Sequence, residues 1–123
     1  AQAQADITQG LAVARALGAV DVGEAVIVEH GYVLGVEAAE GTDALIKRCA
    51  ALKRAAKGGV LVKVKKPGQD ARADLPSIGP ETIETLAACG FGGVAVEAGG
   101  SLILDQATAV ARADALGLFV AGV

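Results

Sequence analysis

Between Lys63 and Gly79 the chain reads KVKKPGQDARADLPSIG, setting four cations, Lys63, Lys65, Lys66 and Arg72, beside two carboxylates, Asp70 and Asp74. Cations gathered this way repel one another unless an anion or an acid answers them. Pro67-Gly68 and Pro76 restrict the segment and so reduce the entropy lost in holding it in one shape. Such residue types suit phosphate chemistry: cations and backbone N–H groups neutralise phosphate oxygens while a carboxylate holds a divalent metal or orients water. A hard cation such as Mg²⁺ takes one or two carboxylates, phosphate oxygens and retained waters, so Asp70 and Asp74 would suffice. The competing reading is a solvated connection whose charges serve solubility. Spacing alone leaves both open.

A second anion site is suggested by VEAAEGTDAL, where Gly41 and Thr42 lead into a helix whose free N–H groups would hold a phosphate or a hydroxyl-rich sugar. An ordinary helix cap explains the same residues. His30 is the only histidine, and with no acid or nucleophile beside it in sequence it reads as a turn residue with a solvated ring. Cys49 and Cys89 form no CxxC pattern and read as buried thiols in a reducing cytoplasm. No P-loop, nucleophile elbow, triad or HExxH pattern is present. The net charge of -3 and pI near 5.0 argue against a sequence-independent grip on nucleic acid, which needs a broad basic face. Every apolar run is interrupted well before the roughly 18 to 20 residues that cross a bilayer, so a soluble chain is expected. No secretory signal is visible, and the opening AQAQAD without Met fits either a trimmed initiator or a cut from a longer protein.

The elements that must position these residues follow from periodicity. With 123 residues, 53% of them hydrophobic and only 2% aromatic, the chain suits one domain with a core of small aliphatic side chains. Ile7, Leu11, Ala14 and Leu17 predict a first helix, with Asp6 as its N-cap and Gly18 as its stop. EAVIVEHGYVLGVEA predicts a hairpin turning at His30-Gly31. Leu45, Ile46, Cys49, Leu52 and Ala56 predict a helix capped by Thr42, with Lys47, Arg48, Lys53, Arg54 and Lys57 facing away. VLVKVK predicts an inner strand with Val60, Val62 and Val64 on one face and Leu61, Lys63 and Lys65 on the other. Pro80 opens a third helix that Gly90 stops, GGVAVEA and SLILD predict a second hairpin through Gly99-Gly100, and Asp105 caps a last helix before a buried closing strand, LFVAGV. The fold class expected is α/β, a single domain over 1-123 with one mixed sheet carrying two hairpins and covered by about four helices. In open α/β sheets ligands settle beyond the carboxyl ends of the strands, which is where the charged loop begins.

Taken together, VEAAEGTDALI, KPGQDARADLPSIGPETI, GGVAVEAG and the closing ADALGLFVAGV resemble the carboxy-terminal domain of the LpxI family, the UDP-2,3-diacylglucosamine pyrophosphatases of bacterial lipid A biosynthesis. EGTDAL and DLPSIG are the most specific parts of a likeness that runs from Asp6 to Val123. The resemblance implies a metal-dependent hydrolase, using Mg²⁺ or Mn²⁺, that cleaves the pyrophosphate of UDP-2,3-diacylglucosamine to UMP and 2,3-diacylglucosamine 1-phosphate. It implies an amino-terminal domain with a nucleotide-binding look as partner, a cytoplasmic setting at the inner face of the membrane reached through the lipid substrate, and an isolated domain with little or no activity. Matched to the family motifs, Asp74 is the essential acid, holding the metal or positioning the attacking water, Lys66 binds phosphate, and Thr42 and Asp43 line the substrate cleft; beyond the motif matches, Asp70 is read as a second metal ligand, Arg72 as a further phosphate ligand, and Lys63, Gln69 and Gly41 as substrate-binding. A phosphate- or lipid-binding module without catalysis, or a self-associating domain, are the alternatives.

Overall fold

A computed structural model describes residues 2–20, 22–64, 77–97, 102–103 and 106–123, with 77, 102, 103 and 106 described through their backbone alone. Among the described residues four helices, α1 (Gln2–Ala19), α2 (Thr42–Ala50), α3 (Pro80–Ala88) and α4 (Gln106–Leu116), are interspersed with seven strands. These are β1 (Ala25–Glu29), β2 (Tyr32–Val36), β3 (Val60–Lys63), β4 (Ser77–Ile78), β5 (Gly93–Val96), β6 (Leu102–Ile103) and β7 (Phe119–Gly122). Five of them form the main sheet in the order β2-β1-β3-β5-β7, and β4 pairs with β6 in a small parallel ladder. β1 runs antiparallel to both β2 and β3, while β3, β5 and β7 are parallel. The single α/β domain with a mixed sheet and four helices is therefore as expected.

Alternation along the strands splits the core in two. Val60, Val62 and Val64 join Val26, Val28, Ala95, Ile7 and Ala14 under α1, whereas Leu61 joins Ile27, Val94, Leu45, Ile46, Cys49, Ile83 and Leu86 under the other helices. α1 comes close to the sheet because Gly10 has no side chain: a Cβ there would lie 2.5 Å from Val62 Cγ2. The first hairpin turns at His30-Gly31 as expected, both with positive φ (49° and 84°), the pattern of a two-residue turn matched to strand twist.

Several expectations are corrected. Asp6 does not cap α1, which already runs from Gln2; it is a buried member of the helix whose carboxylate accepts the N–H groups of His30 and Gly31, both at 2.9 Å. α2 is capped by Gly41, not Thr42, and stops at Ala50. Beyond it Leu52 is 51% exposed instead of lining the core, and Lys53 is drawn inward to a buried ion pair with Glu29 at 2.7 Å. The second hairpin does not form, because both edges of β5 are already taken by β3 and β7, leaving β6 to pair with β4. β7 lies at the sheet's margin and is half-buried, not buried. Cys49 is buried and Cys89 only partly so. The proposed cap Asp105 and the turn Gly99-Gly100 lie outside the described residues.

Candidate functional site at the carboxyl edge of the sheet

The strand register brings one set of chain ends together. Lys63 sits beside Ala25 on one side and Val96 on the other, Val96 beside Gly122, and Val26 beside Val36. The carboxyl ends of β2, β3, β5 and β7 and the amino end of β1 thus share an edge. Backbone bonds extend it: Val64 N–H donates to Glu24 O, Glu37 N–H to Ala25 O and Glu97 N–H to Lys63 O. Glu24, Glu37, Lys63 and Glu97 therefore gather there, with the start of α2 a few residues past β2. This is the edge from which the charged loop departs.

Lys63 is 7% exposed, on the face shared with Leu61 and α2. Burial pushes its ammonium below the ordinary lysine range, and the negative charges of Glu37, Glu24 and Asp43 oppose that shift. Glu37 is also 7% exposed: one oxygen accepts Glu24 N–H at 3.1 Å and the other the Thr42 hydroxyl at 3.0 Å. Glu97 meets Arg15 of α1 at 3.3 Å. Thr42 is thus engaged through its side chain, which leaves Gly41, with φ 90°, to begin α2 without a side-chain cap. Gly41, Thr42 and Asp43 line an open cleft of about 350 Å³ with Glu40, Ala44 and Thr82 of α3. Asp43 lies within the first turn of α2, where a negative charge favours the helix dipole. A second recess, of about 550 Å³, lies against β7 and α4 and is lined by Val96, Val110, Ala113, Leu118, Phe119 and Val120 among others.

Of the residues picked from sequence, Lys63, Thr42 and Asp43 are brought to one edge, and Gly41 starts the helix there. Lys66, Gln69, Asp70, Arg72 and Asp74 lie outside the described residues. Among the described residues no three His, Cys, Asp or Glu side chains gather to hold a metal ion. The donors of the right kind for a hard cation that the loop offers are Asp70 and Asp74. Glu24 and Glu37 escaped the sequence reading. The signal that finds them is positional: each carboxylate flanks a strand on the side where the central strands end.

The fold is similar to that of a dCMP deaminase from the cyanophage S-TIM5, solved in apo form, with a TM-score of 0.57 over 94% of this chain and 95% of that one at 14% identity. That likeness concerns architecture alone. In sequence the chain is 48% identical to the UDP-2,3-diacylglucosamine pyrophosphatase LpxI of Caulobacter vibrioides, over 97% of its own residues and 45% of that protein's. It spans less than half the length of that relative. Residues 1–121 match the family model described as the LpxI C-terminal domain, and the chain belongs to that family.

Proposed function

We propose that this domain works with an amino-terminal partner domain to hydrolyse the pyrophosphate of UDP-2,3-diacylglucosamine, giving UMP and 2,3-diacylglucosamine 1-phosphate in lipid A biosynthesis. The observation that carries the reading is the 48% identity to the Caulobacter LpxI pyrophosphatase across 97% of the chain. The carboxyl edge supports it, since a buried cation, a helix start without a side-chain cap and the origin of a loop rich in Lys, Arg and Asp meet there.

In this reading water adds to one phosphorus, the bridging P–O bond breaks, and the bridging oxygen leaves on the other phosphate. Asp74 is assigned to orient the attacking water, whose proton passes to a carboxylate or to solvent, and Asp70 to assist as a second metal ligand. Lys63, Lys66, Gln69 and Arg72 offset charge on the phosphate oxygens; loss of one such contact costs roughly 2.7–4 kcal/mol in the transition state. Gly41, Thr42 and Asp43 border the nucleotide or sugar. Mg²⁺ or Mn²⁺, held by Asp74 and Asp70, would supply further stabilisation of the phosphate charge. The recess between β7 and α4, mostly aliphatic but with Asp114 in its lining, offers room for an acyl chain. Such a substrate places the reaction at the cytoplasmic face of the membrane; no helix among the described residues is long and apolar enough to cross it.

The test is a two-domain protein carrying Asp74→Ala, assayed for UMP release. Folding is expected to be unchanged by circular dichroism while turnover falls by about 10²–10⁴-fold. Chelation with EDTA should abolish the wild-type activity, and added Mg²⁺ or Mn²⁺ should restore it. Turnover retained in the variant would remove Asp74 from the mechanism.

A further inference from the structure

Glu37 is the group at this edge that the likeness to known enzymes does not bring forward. A buried carboxylate is expensive to keep, and an apolar residue would fill the same space at lower cost. Its backbone is pinned: the N–H donates to Ala25 O at 2.9 Å, and its carbonyl lies so near Gly23 that a Cβ there would stand 2.1 Å from the oxygen. Its carboxylate is divided between two elements, taking Glu24 N–H ahead of β1 with one oxygen and the Thr42 hydroxyl of α2 with the other. It also exerts its charge on Lys63, at the end of β3. Two segments are therefore bonded to one side chain, with the end of β3 within reach of its charge.

We propose that Glu37 is a positioning residue of the pyrophosphate site, tying the first turn of α2 to Glu24, whose carbonyl in turn holds Val64 just past β3, so that the N–H groups at the start of α2 and the Lys63 ammonium face a phosphate in fixed relation. The inference rests on the pyrophosphatase reading and deepens it. The charged groups around Lys63 are Glu24 from the segment entering β1, Glu37 after β2 and Asp43 from α2, with Glu97 after β5 bonded through its backbone to Lys63 O. The charges of Glu37, Glu24 and Asp43 favour the ammonium form. Neutralising Glu37 removes one of them, so Lys63 would lose its proton at lower pH.

The experiment compares the two-domain enzyme with its Glu37→Gln and Thr42→Val variants, measuring kcat, KM, thermal midpoint and the pH dependence of kcat/KM with UDP-2,3-diacylglucosamine. Glu37→Gln keeps the shape and one acceptor, which can still take Glu24 N–H, while its NH2 can only donate and so meets the Thr42 hydroxyl oxygen with the bond reversed. It is expected to fold with a near-wild-type midpoint, to lower kcat/KM about 10- to 100-fold, and to move the alkaline limb of the profile to lower pH. Thr42→Val should lower kcat/KM without moving that limb. Wild-type kcat/KM and an unmoved limb in folded Glu37→Gln overturn the inference. If Glu37→Gln does not fold, Thr42→Val decides alone, and unchanged kcat/KM in it overturns the inference. Wild-type enzyme without turnover sinks the pyrophosphatase reading and this inference with it, whereas active wild type with unaffected variants sinks the inference only.

Discussion

Glu29 and Lys53 form a short, buried ion pair away from the carboxyl edge. Their 2.7 Å pair is almost fully enclosed, with side chains 1% and 7% exposed, and both groups have further partners. Glu29 also accepts Arg54 N–H at 2.7 Å, while the Lys53 ammonium donates to Gly58 O at 2.7 Å and lies 4.5 Å from the centre of the Phe91 ring. Removing one member strands the other's charge in the interior. Lys53→Met is expected to cost about 3–5 kcal/mol in urea denaturation, and the double variant Lys53→Met with Glu29→Gln should be less destabilised than Lys53→Met alone. Burial pushes the Glu29 carboxyl up, but the Arg54 N–H and then the bond and charge of Lys53 outweigh it, leaving the group below the usual carboxylate range. Its folded pKa is thus depressed, the unfolded chain binds more protons, and the stability it contributes is present above the ordinary Glu value of about 4.3 and lost as pH falls through the folded pKa. Urea midpoints measured from pH 6 downward should fall less steeply in Glu29→Gln than in wild type. None of this was legible in sequence. Lys53 fits the outer face of a helical repeat, and only the return of β1 beside residues 51–57 turns it inward.

At the scale of elements, α1 and the first hairpin are clamped by one side chain and one absence of a side chain. Asp6 holds the His30 and Gly31 N–H groups of the turn while Gln2 Nε2 donates to it at 2.9 Å. Asp6→Ala leaves two turn donors unanswered and should cost about 1–3 kcal/mol, with faster amide exchange at His30 and Gly31 as the readout. Gly10 permits the close crossing of α1 over β3, where a methyl would meet Val62 Cγ2 at 2.5 Å and Val62 Cβ at 3.0 Å. Gly10→Ala is therefore expected to destabilise by about 1–3 kcal/mol despite alanine's better helix propensity, and Val62→Ala in the same chain should recover part of the loss. Thermal melts of Gly10→Ala, Val62→Ala and the double variant check this. The hairpin was readable because His30-Gly31 suits a turn with positive φ at both positions, a local requirement. The second hairpin was misread because β-prone runs flanking Gly99-Gly100 say nothing about which neighbours each strand already has.

The whole molecule is a sheet with α1 on one side and α2, α3 and α4 on the other, and its likeness to LpxI extends over 45% of that relative's length. If the active site is completed by a partner domain, the isolated chain should unfold as one cooperative unit yet release no UMP, and activity should appear only in the two-domain protein; sedimentation alongside the assay shows whether the isolated domain pairs with itself instead. Turnover by the isolated domain would overturn that expectation. The amino-acid order by itself determined what is local or carried by motif. The valine face of β3, the His30-Gly31 turn, Pro80 at the head of α3 and the letters EGTDAL and DLPSIG all stand in the sequence, since side-chain alternation, positive φ and a missing N–H act within a few residues. Tertiary structure alone decided which ends meet. It set Lys63 among Glu24, Glu37 and Asp43, took Thr42 from the cap of α2 to Glu37, and turned Asp6 toward a hairpin more than twenty residues away, because buried charges and N–H groups take whatever partner the packed chain brings within reach.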